Sequence, residues 1–348
     1  MKISFKKKKK KKTVIWVFTA LVIFSIAINI TIGAFSISFK DILNTLINPQ
    51  ENLIFYQVLS EIRLPRIFLA ILVGISFGLS GALMQTLFKN PLADPSIIGV
   101  SAGASAGVVI FMLLGSLMPT IFISGIFKYL SLPLSAFLGA VITIFLIYKL
   151  ATIYNKVAVT IMLLAGIAIN AMLGALVGLF TYVSTEEELK SFTFWTMGSL
   201  AHGDLKVIFT MVPVVIAIFV FAMSKNTELN LMLLGEDEAK NSGVNSERLK
   251  KLIIFFVSLA IGVSVAFCGI IGFVGLVVPH IARILVGSNH KYYIPLSGIL
   301  GAFILLWADS FARMIVSPAE LPIGIITALI GAPFFLWLLI RNRQSTIN

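Results

Sequence analysis

Residues 158–181 read AVTIMLLAGIAINAMLGALVGLFT, an apolar stretch without a charged side chain. A helix needs roughly 20 apolar residues to cross the hydrocarbon core of a bilayer, so this stretch is long enough to span one. Across all 348 residues, 58% are hydrophobic and only 12% are charged. A water-soluble domain could not cover that much apolar surface with polar groups. The stretch therefore predicts an all-α, polytopic membrane protein.

Further apolar runs, bounded by charged residues, prolines and glycines, have the same character as residues 158–181. Together they predict about ten membrane-spanning helices, with boundaries uncertain by a few residues. The eighth run is short and contains Pro279. The predicted spans are 13–33, 64–85, 97–117, 132–150, 158–181, 206–224, 249–270, 272–287, 293–312 and 323–340.

The spans belong to one predicted transmembrane domain, residues 13–341. Residues 1–12 form a polybasic tail before it, and residues 342–348 form a short tail after it. The block Lys6–Lys12 is typical of a cytoplasmic anchor on anionic lipid. The alternative is the basic region of a cleaved signal peptide. The long apolar stretch that follows, which lacks a clear cleavage site, favours retention.

The distribution of basic residues predicts the orientation. With ten alternating spans and a cytoplasmic N-terminus, most of the Lys and Arg residues lie on the cytoplasmic side, and both basic termini lie inside. Residues 34–62 are then an outer segment, in which a short helix is predicted at Phe39–Leu46. Residues 225–248 are a cytoplasmic loop, with two short helices predicted around Gly235.

Several functional classes are excluded by the sequence. There is no phosphate-binding G-x-x-x-x-G-K-[ST] motif. Two G-x-S-x-G matches, at 74–78 and 99–103, lack the strand and partners of a nucleophile elbow. The three histidines have no metal-ligand spacing, and the basic residues form no face suited to nucleic acid. We therefore predict a chain that is not an enzyme, needs no cofactor and binds no nucleic acid.

Charged residues near the span ends leave two readings open. The motif Arg63-Leu64-Pro65-Arg66 opens the second span. Its arginines either extend their charged ends to the membrane–water interface or form a patch that binds carboxylates of a docking partner. Asp309 and Arg313 share a helix face, because they are four residues apart. They either pair with each other, or Arg313 joins the outer patch.

Two further features lie within or between the spans. Gly166, Asn170, Gly174 and Gly178 recur at four-residue spacing, which indicates either tight helix packing or a wall with room for a solute. Residues 269–283, with Pro279 and His280, form a Gly- and Pro-broken segment. Broken helices at membrane depth occur where the backbone is buried in protein or lines a cavity, which favours a transporter.

These features, taken in order, resemble the FecCD family of ABC permeases, which has the type II importer fold. The resemblance runs from about residue 36 to residue 341. The matching motifs are RLPR at 63–66, GALMQTLFKNPLADP at 81–95, IGVSAG at 98–103, LLAG at 163–166, WTMGSL at 195–200, LG at 234–235 through GV at 243–244, GFVGL at 272–276 with Pro279, His280 and Arg283, AD at 308–309 with Arg313, and ELPIG at 320–324 through GAP at 331–333.

The resemblance implies partners and a substrate class. The partners are a second permease subunit, identical or different, a cytosolic ABC ATPase dimer, and an extracytoplasmic substrate-binding protein, which would be a lipoprotein in a Gram-positive host. The substrate is an iron complex, a siderophore or haem, with cobalamin less favoured. A self-sufficient secondary transporter is the alternative, although the spans carry almost no midplane charges for ion coupling.

The resemblance also implies roles for individual residues. Arginines at the outer face receive glutamates of the binding protein, the cytoplasmic loop docks on the ATPase, and the fifth and tenth spans line the path. The docking residues are Arg63, Arg66 and Arg313; the coupling residues are Leu233, Leu234, Gly235, Glu236, Ala239 and Gly243; the path and inner-gate residues are Val159, Thr160, Gly166, Asn170, Pro279 and His280.

Overall fold

The computed structural model describes residues 2–33, 38–47, 52–114, 125–201 and 203–347. The described chain is almost entirely helical. Its elements are α1 (Lys2–Thr31), α2 (Phe39–Ile47), α3 (Leu53–Gln57), a π-helical segment (Val58–Arg63), α4 (Leu64–Leu87), a 3₁₀ turn (Pro95–Ile98), α5 (Val100–Leu114), α6 (Gly125–Ala151), β1 (Thr152–Ile153), β2 (Lys156–Val157), α7 (Val159–Val183), α8 (Glu186–Thr196), α9 (Leu205–Ser224), α10 (Asn226–Leu234), α11 (Glu236–Asn241), α12 (Ser246–Cys268), α13 (Val274–Val286), α14 (His290–Met314) and α15 (Ile323–Ile347).

Each predicted span has a helix in the structure. Within the described residues, eight helices are long and apolar enough to cross a membrane, and two shorter apolar helices, α5 and α13, occupy the third and eighth predicted spans. The all-α, polytopic fold class is therefore confirmed. The short helices around Gly235 are also present as α10 and α11, and α2 extends the predicted helix Phe39–Leu46 by one residue.

The third span begins later than predicted. Asp94 caps the 3₁₀ turn by accepting a hydrogen bond from the backbone N–H of Ser96, and Gly99 then adopts a left-handed conformation with φ of +84°. The turn and Gly99 redirect the chain, so α5 starts at Val100 rather than at residue 97. Burial raises the pKa of the Asp94 carboxyl, although its hydrogen bonds from Ser96 act in the opposite direction. Residues 115–117 of the prediction lie outside the described residues.

The helix that contains the second span begins earlier than the predicted span. Helical backbone runs continuously from Leu53 through the π-helical segment into α4, so residues 53–63 are helical rather than an irregular connecting segment. Pro65 has no N–H to donate and its ring crowds the carbonyl four residues back. The wider π-helical turn just before Pro65 lets the helix pass this residue. The regular α-helix α4 itself begins at Leu64, the predicted start of the span.

The sequence patterns missed two small elements. Strands β1 and β2 form a two-stranded antiparallel hairpin in which Thr152 pairs with Val157, directly before α7. Helix α8 is preceded by Thr185, which forms a capping box with Glu188. Hydrogen bonds from the backbone N–H and the hydroxyl of Thr185 lower the pKa of Glu188. Both elements are too short to leave an apolar periodicity.

The chain divides into two compact units, which we describe separately. In the first unit, α4 packs against α14 at Gly74 and Gly301, where each added Cβ would overlap the other's carbonyl oxygen. Helix α1 also packs along α14, and the Trp307 indole N–H donates to the Ser25 hydroxyl at 3.0 Å. The unit consists of residues 1–82, 199–216 and 272–348.

The second unit contains residues 83–198 and 217–271. Its tightest helix contact lies between α5 and α6. A Cβ added at Gly139 would overlap the carbonyl oxygen of Gly103 and lie 2.8 Å from the Cα of Gly107. Glycines therefore let these two helix backbones touch, as small residues do in membrane helix pairs.

Candidate functional sites

The first candidate site is an arginine cluster in the first unit, consisting of Arg63, Arg66, Asp309, Arg313 and Glu320. Asp309 lies between two arginines: its Oδ1 is 2.9 Å from Arg66 Nη2, and its Oδ2 is 3.1 Å from Arg313 Nε. Glu320 binds the other edge of Arg66, with Oε2 2.8 Å from Nη1. The structure therefore brings together residues that are up to 257 positions apart in the sequence.

The remaining donors of the cluster bind the end of α1. Arg63 Nη1 donates to the carbonyl oxygen of Ile30. Arg313 Nη1 donates to the carbonyl oxygen of Ile32 at 3.2 Å, and its Nη2 donates to Asn29 Oδ1 at 3.1 Å. Backbone carbonyls at a helix C-terminus lack helical partners, so they are suited to accept from cations.

Burial distinguishes the members of the arginine cluster. Arg63, Arg66, Asp309 and Arg313 are all buried, whereas the side chain of Glu320 is 43% exposed. Buried charges need partners, and the two carboxylates provide them for Arg66. Arg313 pairs with Asp309 and also belongs to the arginine cluster, so the two interpretations left open for this residue do not exclude each other.

The second candidate site is the pair of short helices α10 and α11. Gly235 joins them with φ of +148° and ψ of 157°, and a Cβ there would overlap the Glu238 carboxylate. Leu229, Met232 and Ala239 are fully buried, whereas Leu234 is 70% exposed at the end of α10. Gly243 follows α11 with φ of +83°. Leu233 and Glu236 are partly exposed beside this turn.

A buried lysine lies directly behind these two helices. Lys250, in the first turns of α12, has its Nζ 2.8 Å from Glu236 Oε1 and 3.0 Å from Glu247 Oε1. The same ammonium group donates to the carbonyl oxygen of Val157 at 3.3 Å. Glu247 Oε2 in turn accepts from the backbone N–H of Val157 at 2.7 Å. We call these four residues the Lys250 network.

The third candidate site is α7 and its N-terminus. Val159 opens α7 and is partly exposed, and Thr160 is exposed. The small-residue face of α7 is divided: a Cβ at Gly166 would overlap the carbonyl oxygen of Ile97, but Gly174 and Gly178 have open space beside them. Asn170 Oδ1 has no hydrogen-bond partner among the described residues. The face is therefore packed near its start and open further along.

Pro279 and His280 lie in α13, where both are buried. The His280 ring is 6.0 Å from the Phe334 ring in an edge-to-face arrangement, which is a packing contact. An apolar crevice of about 200 Å³ separates α13, α14 and α15 and is lined almost entirely by hydrophobic residues. No group of three or more metal-binding side chains is found within the described residues.

Sequence reasoning missed Lys250 and the role of Glu320. Lys250 stands beside Lys251 in a basic run that is typical of a span end, and Glu320 was noted only as part of a motif. Glu247 and Lys250 are three residues apart, the one local signal of an ion pair. The partners Glu236 and Val157 are remote in the sequence, so only the fold could identify them.

Residues 21–341 match the profile of the FecCD transport family. The chain is 37% identical over 313 residues to the hemin transport system permease HmuU of Yersinia pestis, covering 90% of this chain and 91% of the relative. It is 38% identical over 283 residues to the vitamin B12 import permease BtuC of Klebsiella pneumoniae, covering 81% and 82%.

Solved structures agree with this match. A structure of an inward-facing conformation of a metal-chelate type ABC transporter superimposes with a TM-score of 0.83 at 34% identity, covering 95% of this chain and 99% of that one. PsaBC of Streptococcus pneumoniae, at 20% identity and a TM-score of 0.55, supports the fold alone.

The fold and these comparisons define the class of protein as a multi-span permease of an ABC importer. The chain belongs to the FecCD transport family. The resemblance noted from its motifs is thereby confirmed. Family membership also decides between the importer and the self-sufficient secondary transporter in favour of the importer. Permeases of such importers work with an ATPase and a substrate-binding protein, so the chain is a transport subunit.

Proposed function

We propose that this chain is the translocating subunit of an ATP-driven importer of an iron complex, either a siderophore or haem. The observation that carries the substrate class is the likeness to the metal-chelate type transporter, at 34% identity over 95% of the chain. The hemin permease HmuU and the iron-uptake permease FeuC of Bacillus subtilis, at 32% identity, support it.

Other relatives have other substrates, which sets the alternatives to be tested. These relatives include vitamin B12 permeases and the molybdate permease MolB of Haemophilus influenzae, which is 36% identical over 340 residues. The proposed assembly contains a second permease subunit, a cytosolic ATPase dimer and an extracytoplasmic binding protein. The chain lies in the cell membrane with both termini in the cytoplasm, as the basic residues favour.

The arginine cluster is the proposed docking site for the binding protein. Arg63, Arg66 and Arg313 lie at the same membrane end as the start of α15, and Glu320 is the accessible carboxylate among them. A carboxylate of the binding protein would take the edge of Arg66 that Glu320 now holds. Arginine is suited to this exchange, because its planar donors bind carboxylates in pairs.

Helices α10 and α11 are the proposed coupling element for the ATPase. Their exposed apolar tip at Leu234, the tight turn at Gly235 and the acidic start of α11 suit insertion into a groove of a partner. The proposed contact residues are Leu233, Leu234, Gly235, Glu236, Ala239 and Gly243, of which Ala239 is buried and supports the turn from behind.

The N-terminus of α7 is the proposed inner gate, at Val159 and Thr160. The open face of α7 beyond Gly166 and Asn170 supports a role in the path, because small side chains leave room for a large solute. Pro279 and His280 complete the proposed path residues. Their burial and the ring contact with Phe334 favour a supporting, packing role for this pair.

Uptake in proteoliposomes tests the proposed function. The chain is reconstituted with its ATPase and binding protein, and entry of hemin, a ferric siderophore, cobalamin and molybdate is measured with ATP enclosed. We expect ATP-dependent entry of one iron complex that persists when an ionophore collapses the ion gradient. Entry of cobalamin or molybdate alone would overturn the substrate class, and entry that follows the gradient would overturn the importer.

A further inference from the structure

The Lys250 network joins two sites that the proposed function treats separately. Glu236 begins α11, the proposed coupling element, and Val157 ends the hairpin that leads into α7, the proposed gate. Both are held by one ammonium group. Resting on the proposed function, we infer that Lys250 is the positioning residue that transmits the movement of α11 to the gate.

Loss of any partner of the Lys250 ammonium group is energetically unfavourable, because the group is buried. Its side chain is 3% exposed, and its three donors have three acceptors: Glu236, Glu247 and the carbonyl oxygen of Val157. A buried charge that loses its partner is strongly destabilised. When α11 moves, the arrangement of lowest energy is therefore one in which Lys250 stays bound and its other partners follow.

Val157 is held from both sides of its backbone. Its carbonyl oxygen accepts from Lys250, and its N–H donates to Glu247, which is itself bound to Lys250. Val157 also pairs with Thr152 across the hairpin, and Val159 begins α7 two residues later. A displacement of the Lys250 network is thus passed directly to the first turn of α7, through a hairpin with no flexible linker.

Another ion pair in the same loop provides a contrast. Lys225 and Glu228 are 2.7 Å apart but their side chains are 35% and 34% exposed, and both lie at the start of α10. Within the part of the chain that the structure describes, this pair joins no second element, and water can replace either partner. It therefore has the chemistry of the Lys250–Glu236 pair without its connection to a second element.

The experiment compares transport with ATP hydrolysis in the complete importer. Lys250→Met, Glu236→Gln and, as the control, Lys251→Met at the neighbouring exposed lysine of α12 are each reconstituted in proteoliposomes with ATPase and binding protein. The probe is hemin or the ferric siderophore, whichever the unmodified importer accepts. The readout is the number of molecules imported per ATP hydrolysed, because a merely structural defect would lower both rates together.

We expect Lys250→Met and Glu236→Gln to lower that ratio about tenfold, a size typical of coupling between sites, while ATP hydrolysis continues. The double variant, Lys250→Met with Glu236→Gln, should be no worse than Lys250→Met alone, and Lys251→Met should match the unmodified importer. An unchanged ratio in Glu236→Gln would overturn the inference. This outcome can be read even when Lys250→Met fails to assemble, because Glu236→Gln leaves Lys250 bound to Glu247 and Val157.

Failure of the inference can be told from failure of the proposed function. When the unmodified importer takes up no iron complex with ATP, the proposed function fails. When it does so and both variants keep its ratio of transport to hydrolysis, only the role of Lys250 is refuted.

Discussion

Asp309 is the residue on which the arginine cluster depends. One carboxylate serves two buried guanidinium groups, those of Arg66 and Arg313. Without its charge, two buried cations would face each other with Glu320 as the remaining acid. The stability of the cluster therefore depends on pairing its buried positive charges with carboxylates. Substitution of a buried member and of the exposed Glu320 should then differ in their effect on the free energy of unfolding.

We predict that Asp309→Asn lowers the free energy of unfolding by about 3–5 kcal/mol, the size found when a buried ion pair loses one partner. The measurement is thermal unfolding of the purified chain in detergent. The control is Glu320→Gln, which removes a carboxylate that is 43% exposed and should cost about 0–1 kcal/mol. Equal losses in the two variants would contradict this dependence on pairing.

Glu320 also allows a test of docking that leaves the buried arginines intact. Replacing it by Gln removes the charge that competes with an incoming carboxylate for Arg66. We expect the binding protein to dock about fivefold more tightly, which corresponds to about 1 kcal/mol. Surface plasmon resonance on the permease in nanodiscs measures this. Unchanged or weaker docking would argue against an exchange of carboxylates at Arg66.

At the scale of secondary-structure elements, the contact between α5 and α6 requires glycine. We predict that Gly139→Ala destabilises the chain by about 1–3 kcal/mol, the usual cost of overpacking, because its Cβ would overlap the backbone of α5. Gly174→Ala is the control, since α7 has open space there. Alanine should stabilise that helix by up to about 1 kcal/mol.

Thermal unfolding of both alanine variants in detergent distinguishes the two positions. Loss of stability at residue 174 equal to that at residue 139 would mean that α7 is packed along its whole length. That result would argue against the proposed substrate path along α7, because the proposal depends on open space beside this face.

The turn between α10 and α11 depends on Gly235. Its φ of +148° is open to glycine and strained for other residues by about 1–3 kcal/mol. We expect Gly235→Ala to insert normally, because the turn lies outside the spans, but to import less substrate per ATP hydrolysed. Lys251→Ala, an exposed change in the neighbouring helix α12, is the control. A normal ratio in Gly235→Ala would make the turn a simple connection.

At the scale of the whole molecule, the count of spans determines on which side each site lies. With the proposed ten spans and a cytoplasmic N-terminus, both termini and the Lys250 network would lie in the cytoplasm and the arginine cluster outside. We predict that reporter proteins fused at residue 1 and at residue 348 both show cytoplasmic activity. One reporter on each side would contradict an even number of spans and would place one proposed site on the wrong face.

Much of the architecture follows from the sequence by itself. Long uncharged runs such as residues 158–181 are long and apolar enough to cross a bilayer, and the helix satisfies all their backbone hydrogen bonds within the run itself. The family likewise follows from ordered motifs such as Arg63-Leu64-Pro65-Arg66. These are local properties, which depend on residues within one or two helical turns of each other.

The tertiary structure alone decided which charges meet. Glu320 binds Arg66 across 254 positions, and Lys250 binds the backbone of Val157 across 93. It also decided that Gly166 is packed whereas Gly174 has open space, although both follow the same spacing. No local pattern carries such information, because the energy of a buried charge or a close backbone contact depends on partners that folding brings from distant parts of the chain.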